Sequence, residues 1–72
     1  MPRLRLFANL REAAGTSQAE FPGNTVADVL AAATAEYGQD FSRGLSIAKV
    51  WVNGDPASPE DRVGETDEIA LI

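Results

Sequence analysis

Cysteine and histidine are both missing from this 72-residue chain. Without cysteine there is no disulfide and no thiolate metal site. Without histidine, the commonest general acid/base and the commonest metal ligand are gone. Basic charge is also scarce, with six Lys and Arg against eleven Asp and Glu and a net charge of −5. Nucleic acid and anionic membranes are bound mainly through basic charge, so neither is expected as a partner. No apolar run approaches the roughly 20 residues of a membrane-spanning helix. Met1 is followed at once by alternating Arg and Leu rather than the apolar block of a secretory leader, and a cytoplasmic location is expected. The glycines stand singly, and no G-x-x-x-x-G-K-S/T loop for phosphate occurs.

The length fits one domain, residues 1–72, with no room for two. A domain this small buries only about 60% of its unfolded surface, so its stability is marginal unless something helps. With disulfides and thiolate metal sites excluded, a protein partner is the helper left open.

Hydropathy gives the elements. Arg3 to Ala8 alternates with period two and reads as a half-buried strand, with Leu4, Leu6 and Ala8 on one face and Arg3, Arg5 and Phe7 on the other. Asn9 is placed to cap a short helix over 10–14 that Gly15 ends. Residues 17–21 alternate again, with Ala19 and Phe21 inward, before the turn residues Pro22-Gly23. Thr25 is a good N-cap with Asp28 three residues on. Val26, Val29, Leu30, Ala33 and Tyr37 then recur at helical spacing up to Gly38, which makes the one long helix. Residues 39–46 read as a loop anchored by Phe41. Residues 47–52 are rich in β-branched and aromatic side chains and read as a strand. Asn53-Gly54 is a tight-turn signal, and Pro56 confines 55–57 to a sheet edge. Residues 58–67 are polar connection, and 68–72 form the last strand. The economical packing is α+β, a mixed sheet with one long helix on one face and the other face open.

No enzyme chemistry is legible. A serine or threonine nucleophile needs a neighbouring base, and no histidine supplies one. Asp67 and Glu68 are adjacent acids at a strand entrance, which are ordinarily solvated, so no metal site is expected. The open face carries more. Strand parity puts Phe7, Trp51, Ala70 and Ile72 on it, opposite Leu4, Leu6, Val50, Val52, Ile69 and Leu71. An uncovered aromatic and aliphatic cluster points to a protein-binding surface. The acids Asp55, Glu60, Asp61, Glu65, Asp67 and Glu68 crowd the last third, as a solvated loop or as a face that steers a basic partner.

Four stretches, in order, resemble one family. Leu6-Phe7-Ala8-Asn9-Leu10-Arg11-Glu12 with Gly15 resembles the opening of the small subunit of molybdopterin synthase. Thr25-Val26-Ala27-Asp28-Val29-Leu30 ending at Tyr37-Gly38 is similar to its long helix. Val50-Trp51-Val52-Asn53-Gly54 is similar to its central strand and turn, and residues 67–72 to its last strand. The resemblance implies a ubiquitin-like β-grasp fold and a sulfur carrier that binds no cofactor itself. An E1-like adenylyltransferase would activate the C-terminal carboxylate of a Gly-Gly tail, and a sulfur donor would convert it to a thiocarboxylate. The molybdopterin synthase large subunit would then take the sulfur for the dithiolene of the molybdenum cofactor. By the same resemblance, Ala70 and Ile72 fall where the last strand meets the large subunit, and Arg11 matches an arginine near the activating-enzyme interface. The short helix between the first two strands favours this pathway over thiamine carriers, which join those strands more tightly. Carriers for thiamine, cysteine or tRNA thiolation, and a non-carrier ubiquitin-like binding module, are the alternatives. The family's Gly-Gly is not among the residues up to Ile72. Since the alternation runs to Ile72 without a stop signal, the expectation is a carrier whose tail follows, against a truncated or non-carrier relative.

Overall fold

Strand β1 (Arg3–Leu6) puts Leu4 and Leu6 into the core and Arg3 and Arg5 on the outside, as its alternation requires. The computed structural model describes residues 1–72. Helix α1 (Ala8–Ala14) follows at once and is stopped by Gly15, whose φ is 76°. Here the expected boundaries shift. Ala8 does not extend the strand, because its φ of 50° turns the chain off the sheet. Asn9 is not the cap either; Phe7 occupies that position, with no side-chain hydrogen bond. Strand β2 (Gln18–Glu20) returns antiparallel to β1.

Helix α2 (Val26–Tyr37) starts where Thr25 Oγ1 accepts from the Asp28 N–H at 3.2 Å, while Asp28 Oδ2 accepts from the Asn24 N–H at 3.3 Å. Gly38, with φ of 91°, ends α2 and also opens α3 (Gln39–Leu45). The loop expected over 39–46 is therefore mostly a helix, although Phe41 is the anchor expected of it, fully buried. The helix forms because it packs on α1: Gly44 abuts Leu10 so closely that a Cβ there would lie 2.9 Å from Leu10 Cδ2. Strand β3 (Val50–Val52) begins later than expected. Ile47 lies in the turn after α3, where its N–H donates to the Gly44 carbonyl at 3.3 Å, and it is 81% exposed. Asn53 and Gly54 both have positive φ, 51° and 87°, the requirement of a tight type I′ turn into β4 (Asp55–Pro56). The connection over 58–67 is polar as expected, but Val63 within it is buried and Thr25 bridges to Arg62. Strand β5 (Glu68–Leu71) closes the fold.

The five strands form one mixed sheet in the order β2-β1-β5-β3-β4. β5 lies at its centre, parallel to β1 and antiparallel to β3. The core joins Leu4, Leu6, Ile69 and Leu71 from the sheet to Leu10, Val26, Val29, Ala33 and Phe41 from the helices. All three helices thus share one sheet face. None is long and apolar enough to cross a membrane.

A polar clamp fixes the start of β5. Asp67 Oδ1 accepts from Asn53 Nδ2 at 2.9 Å, Asp67 Oδ2 accepts from the Gly64 N–H at 2.7 Å, and the Glu68 N–H donates to Asn53 Oδ1 at 3.0 Å. The Gly64 N–H first, and then the Asn53 amide, hold the Asp67 carboxyl below its usual range. A depressed carboxylate stabilises the fold above the unfolded pKa and loses that contribution as pH falls through the folded one. Asp67→Asn is therefore expected to flatten the fall of Tm on the acid side of the carboxylate range; an unchanged Tm–pH curve would contradict this. Ala8→Gly tests the backbone. In an ordinary helix this change costs about 1 kcal/mol, but at a left-handed position it relieves strain. A gain of up to about 1 kcal/mol is expected in urea unfolding, and a loss would contradict the assigned conformation.

Candidate functional site

The uncovered sheet face is organised by register. Arg5 is opposite Ala70 on β5, and Ala70 is opposite Trp51 on β3. One step further along the same face come Phe7, Ile72 and Lys49. Phe7 is extended (φ −129°, ψ 156°), so it keeps the alternation of β1 and falls beside Ile72. Lys49 and Ile72 exchange backbone hydrogen bonds of 2.7 and 2.9 Å, so their side chains share a face. The result is a patch of two rows, Arg5–Ala70–Trp51 and Phe7–Ile72–Lys49.

Beside the second row the helices leave an apolar groove of about 120 Å³, lined by Phe7, Leu10, Ile47, Ala48 and Ile72 among others. Phe7, Ile47 and Ile72 are three of the chain's four exposed large hydrophobic residues, and they meet here. The strained Ala8 is also at its wall. The Arg5 guanidinium lies 5.8 Å from the centre of the Phe7 ring, a cation–π contact that holds it over the patch. At the far end of this face Arg3 pairs with Glu68 at 3.7 Å.

Four of the residues expected from the sequence, Phe7, Trp51, Ala70 and Ile72, therefore lie on one face. Arg11 lies elsewhere, exposed on α1 and one turn along from Phe7, whose carbonyl accepts from its N–H at 3.4 Å. Arg5, Lys49 and Ile47 were missed. Arg5 and Lys49 follow from the same alternation as Phe7 and Trp51, so their signal was present. Ile47 shares that parity in the expected strand 47–52, although it reaches the groove from the turn after α3 instead. The patch offers apolar contact and positive charge for docking. No three His, Cys, Asp or Glu side chains gather into a possible metal site, and every buried side-chain N or O has a partner.

A mixed sheet with the last strand at its centre and the helices on one face defines a ubiquitin-like protein of the β-grasp kind. Residues 4–72 match the ThiS family, and the chain belongs to it. Its fold is similar to that of SAMP1 from Haloferax volcanii, with 28% identity and a TM-score of 0.81 over 99% of this chain and 91% of that one. CysO from Mycobacterium tuberculosis shares the fold at 14% identity, with a TM-score of 0.86 over 100% of this chain and 97% of that one. A protein from Pyrococcus furiosus described as molybdopterin converting factor, subunit 1, shares it at 18% identity, with a TM-score of 0.74 over 97% of this chain and 92% of that one. No curated protein sequence matches. The chain is thus a member of a ubiquitin-like sulfur-carrier and modifier family rather than an enzyme.

The parity of β5 can be tested directly. Ile72 is 62% exposed whereas Leu71 is fully buried. Ile72→Asp is expected to change folding stability by no more than about 0.5 kcal/mol, while Leu71→Asp abolishes folding because it buries an unpaired charge. Unfolding by Ile72→Asp, followed by circular dichroism, would overturn the assignment of faces.

Proposed function

We propose that this chain is a sulfur carrier that serves as the small subunit of molybdopterin synthase, delivering sulfur from a C-terminal thiocarboxylate for the molybdenum cofactor. The supporting observation is the position of β5. It leaves the centre of the sheet beside the groove of Phe7, Leu10, Ile47 and Ile72. A partner seated on the open face therefore has the end of β5 within reach. In this reading an E1-like adenylyltransferase joins the terminal carboxylate to AMP from ATP, releasing pyrophosphate. Sulfide from a donor displaces AMP and leaves the thiocarboxylate. The large subunit then moves that sulfur to the pterin and returns the carboxylate. Phe7, Trp51, Ala70 and Ile72 provide the docking face, with Arg11 facing the activating enzyme, and the chain needs no cofactor of its own. A Gly-Gly tail after Ile72 suits the chemistry, since residues without a Cβ thread a narrow active site.

A second reading, a modifier joined through its carboxylate to lysines of other proteins, is favoured by one observation. Identity to the small archaeal modifier protein from H. volcanii is 28%, against 18% for the molybdopterin converting factor. Incubation with the adenylyltransferase, ATP and sulfide, followed by intact mass, tests the first reading. The expected result is replacement of one terminal oxygen by sulfur, and conversion of the pterin precursor once the large subunit is added. A chain that takes up no sulfur sinks the proposal. Sulfur uptake with transfer only to a thiazole synthase moves the chain to the thiamine pathway, and protein conjugates without sulfur transfer favour the modifier.

A further inference from the structure

The charge of the two rows on the open face is opposite to that of the molecule. The chain carries eleven acids against six bases, yet none of the six positions of the patch is acidic. Arg5 and Lys49 stand at one diagonal, the aromatic residues Phe7 and Trp51 at the other, and Ala70 and Ile72 run between them. The acids of the strands lie outside these two rows. Glu68 and Glu20 are register neighbours of Arg3 at the far end of the face, and Asp55 pairs with Val52 on the opposite one. Neither Arg5 nor Lys49 takes part in a salt bridge, although both are exposed.

We infer that this face docks a partner protein through an apolar segment flanked by carboxylates, with Phe7, Trp51, Ala70 and Ile72 covered by its apolar side chains and Arg5 and Lys49 paired with its acids. The inference rests on reading the open face as the docking face, and not on which sulfur pathway is served. Three features support this occupant. The two cations, neither in a salt bridge, sit at opposite corners of an apolar centre, so they fix the orientation of a partner as well as attracting it. The face is apolar at its middle and charged at its rim, as protein interfaces are. The acidic remainder of the chain repels a phosphate backbone, which needs more than two cations to hold it.

The test uses three probes of similar length: a soluble peptide of leucine and glutamate, the same peptide with lysine for glutamate, and an oligothymidylate. Amide chemical shifts of the isotope-labelled chain are followed in each titration. The expected result is that the Leu–Glu peptide shifts Arg5, Phe7, Lys49, Trp51 and Ile72 and that the Leu–Lys peptide does not. The response fades as salt approaches about 1 M, where screening acts within about 3 Å. Arg5→Glu combined with Lys49→Glu weakens the Leu–Glu peptide about tenfold, the effect of losing two exposed ion pairs, with Tm unchanged. Unmoved amides with the Leu–Glu peptide, equal binding of the Leu–Lys peptide, or shifts caused by the oligothymidylate would each overturn the inference. A chain that binds the Leu–Glu peptide but takes up no sulfur loses the carrier reading alone; the reverse result loses only this one.

Discussion

The rest of the structure depends on the pairing of β5 with a strand on each side. β5 is the last element of the chain and the middle strand of the sheet. Ile69 and Leu71 are fully buried between Leu4 and Leu6 of β1 and the valines of β3. Without β5 the two halves of the sheet share no ladder, and the leucines of β1 lose their neighbours. A chain this short has few other contacts to offset that loss. The strand is accordingly fixed at both ends, by the Asn53–Asp67–Gly64 clamp before it and by the reciprocal Lys49–Ile72 hydrogen bonds after it. Pairing β5 with β1 joins opposite ends of the sequence, a non-local contact of the kind that slows folding.

The same pairing produces the candidate site. Side chains alternate along a strand, so burying Ile69 and Leu71 leaves Ala70 and Ile72 on the other face. Register then sets their neighbours: Arg5 and Trp51 flank Ala70, and Phe7 and Lys49 flank Ile72. A slip of one residue would exchange core and open face together. The groove is added by residues outside the strands. Ala8, in a left-handed conformation uncommon for alanine, turns the chain from β1 into α1 while Phe7 remains extended on the open side. Strain at this junction thus sits beside the candidate site rather than in the core.

How much of this was legible in the sequence follows from the range of the forces involved. Period-two alternation in β1 and β5, the Thr25 cap and the Asn53-Gly54 turn are set by nearby residues, and they appear where the sequence puts them. So does the sharing of one face by Phe7, Trp51, Ala70 and Ile72. α3 was not legible, because its sequence, QDFSRGL, has only Phe41 and Leu45 as apolar positions and little helix propensity. It becomes a helix through the close approach of Gly44 to Leu10, a contact between elements far apart in sequence. Ile47 was assigned to a strand on its β-branched side chain, but the turn that closes α3 claims it first. The groove was not legible for the same reason, since it joins residues from three separate stretches of the chain.

Charge and register together explain how a small acidic domain can hold a specific orientation. Surface cations spread evenly over the molecule would be lost against eleven acids. Arg5 and Lys49, unopposed by an acid within the two rows that also expose Phe7 and Ile72, give that patch a positive charge on an acidic domain. An acidic partner is then repelled by most approaches and drawn to one, an effect that acts over about a Debye length and so precedes contact. Apolar burial acts only at contact, and it governs how long the complex lasts. The order matters for a protein whose last strand ends inside this face. In the proposed complex orientation comes first, and it brings the end of β5, rather than some other edge of the sheet, to the partner.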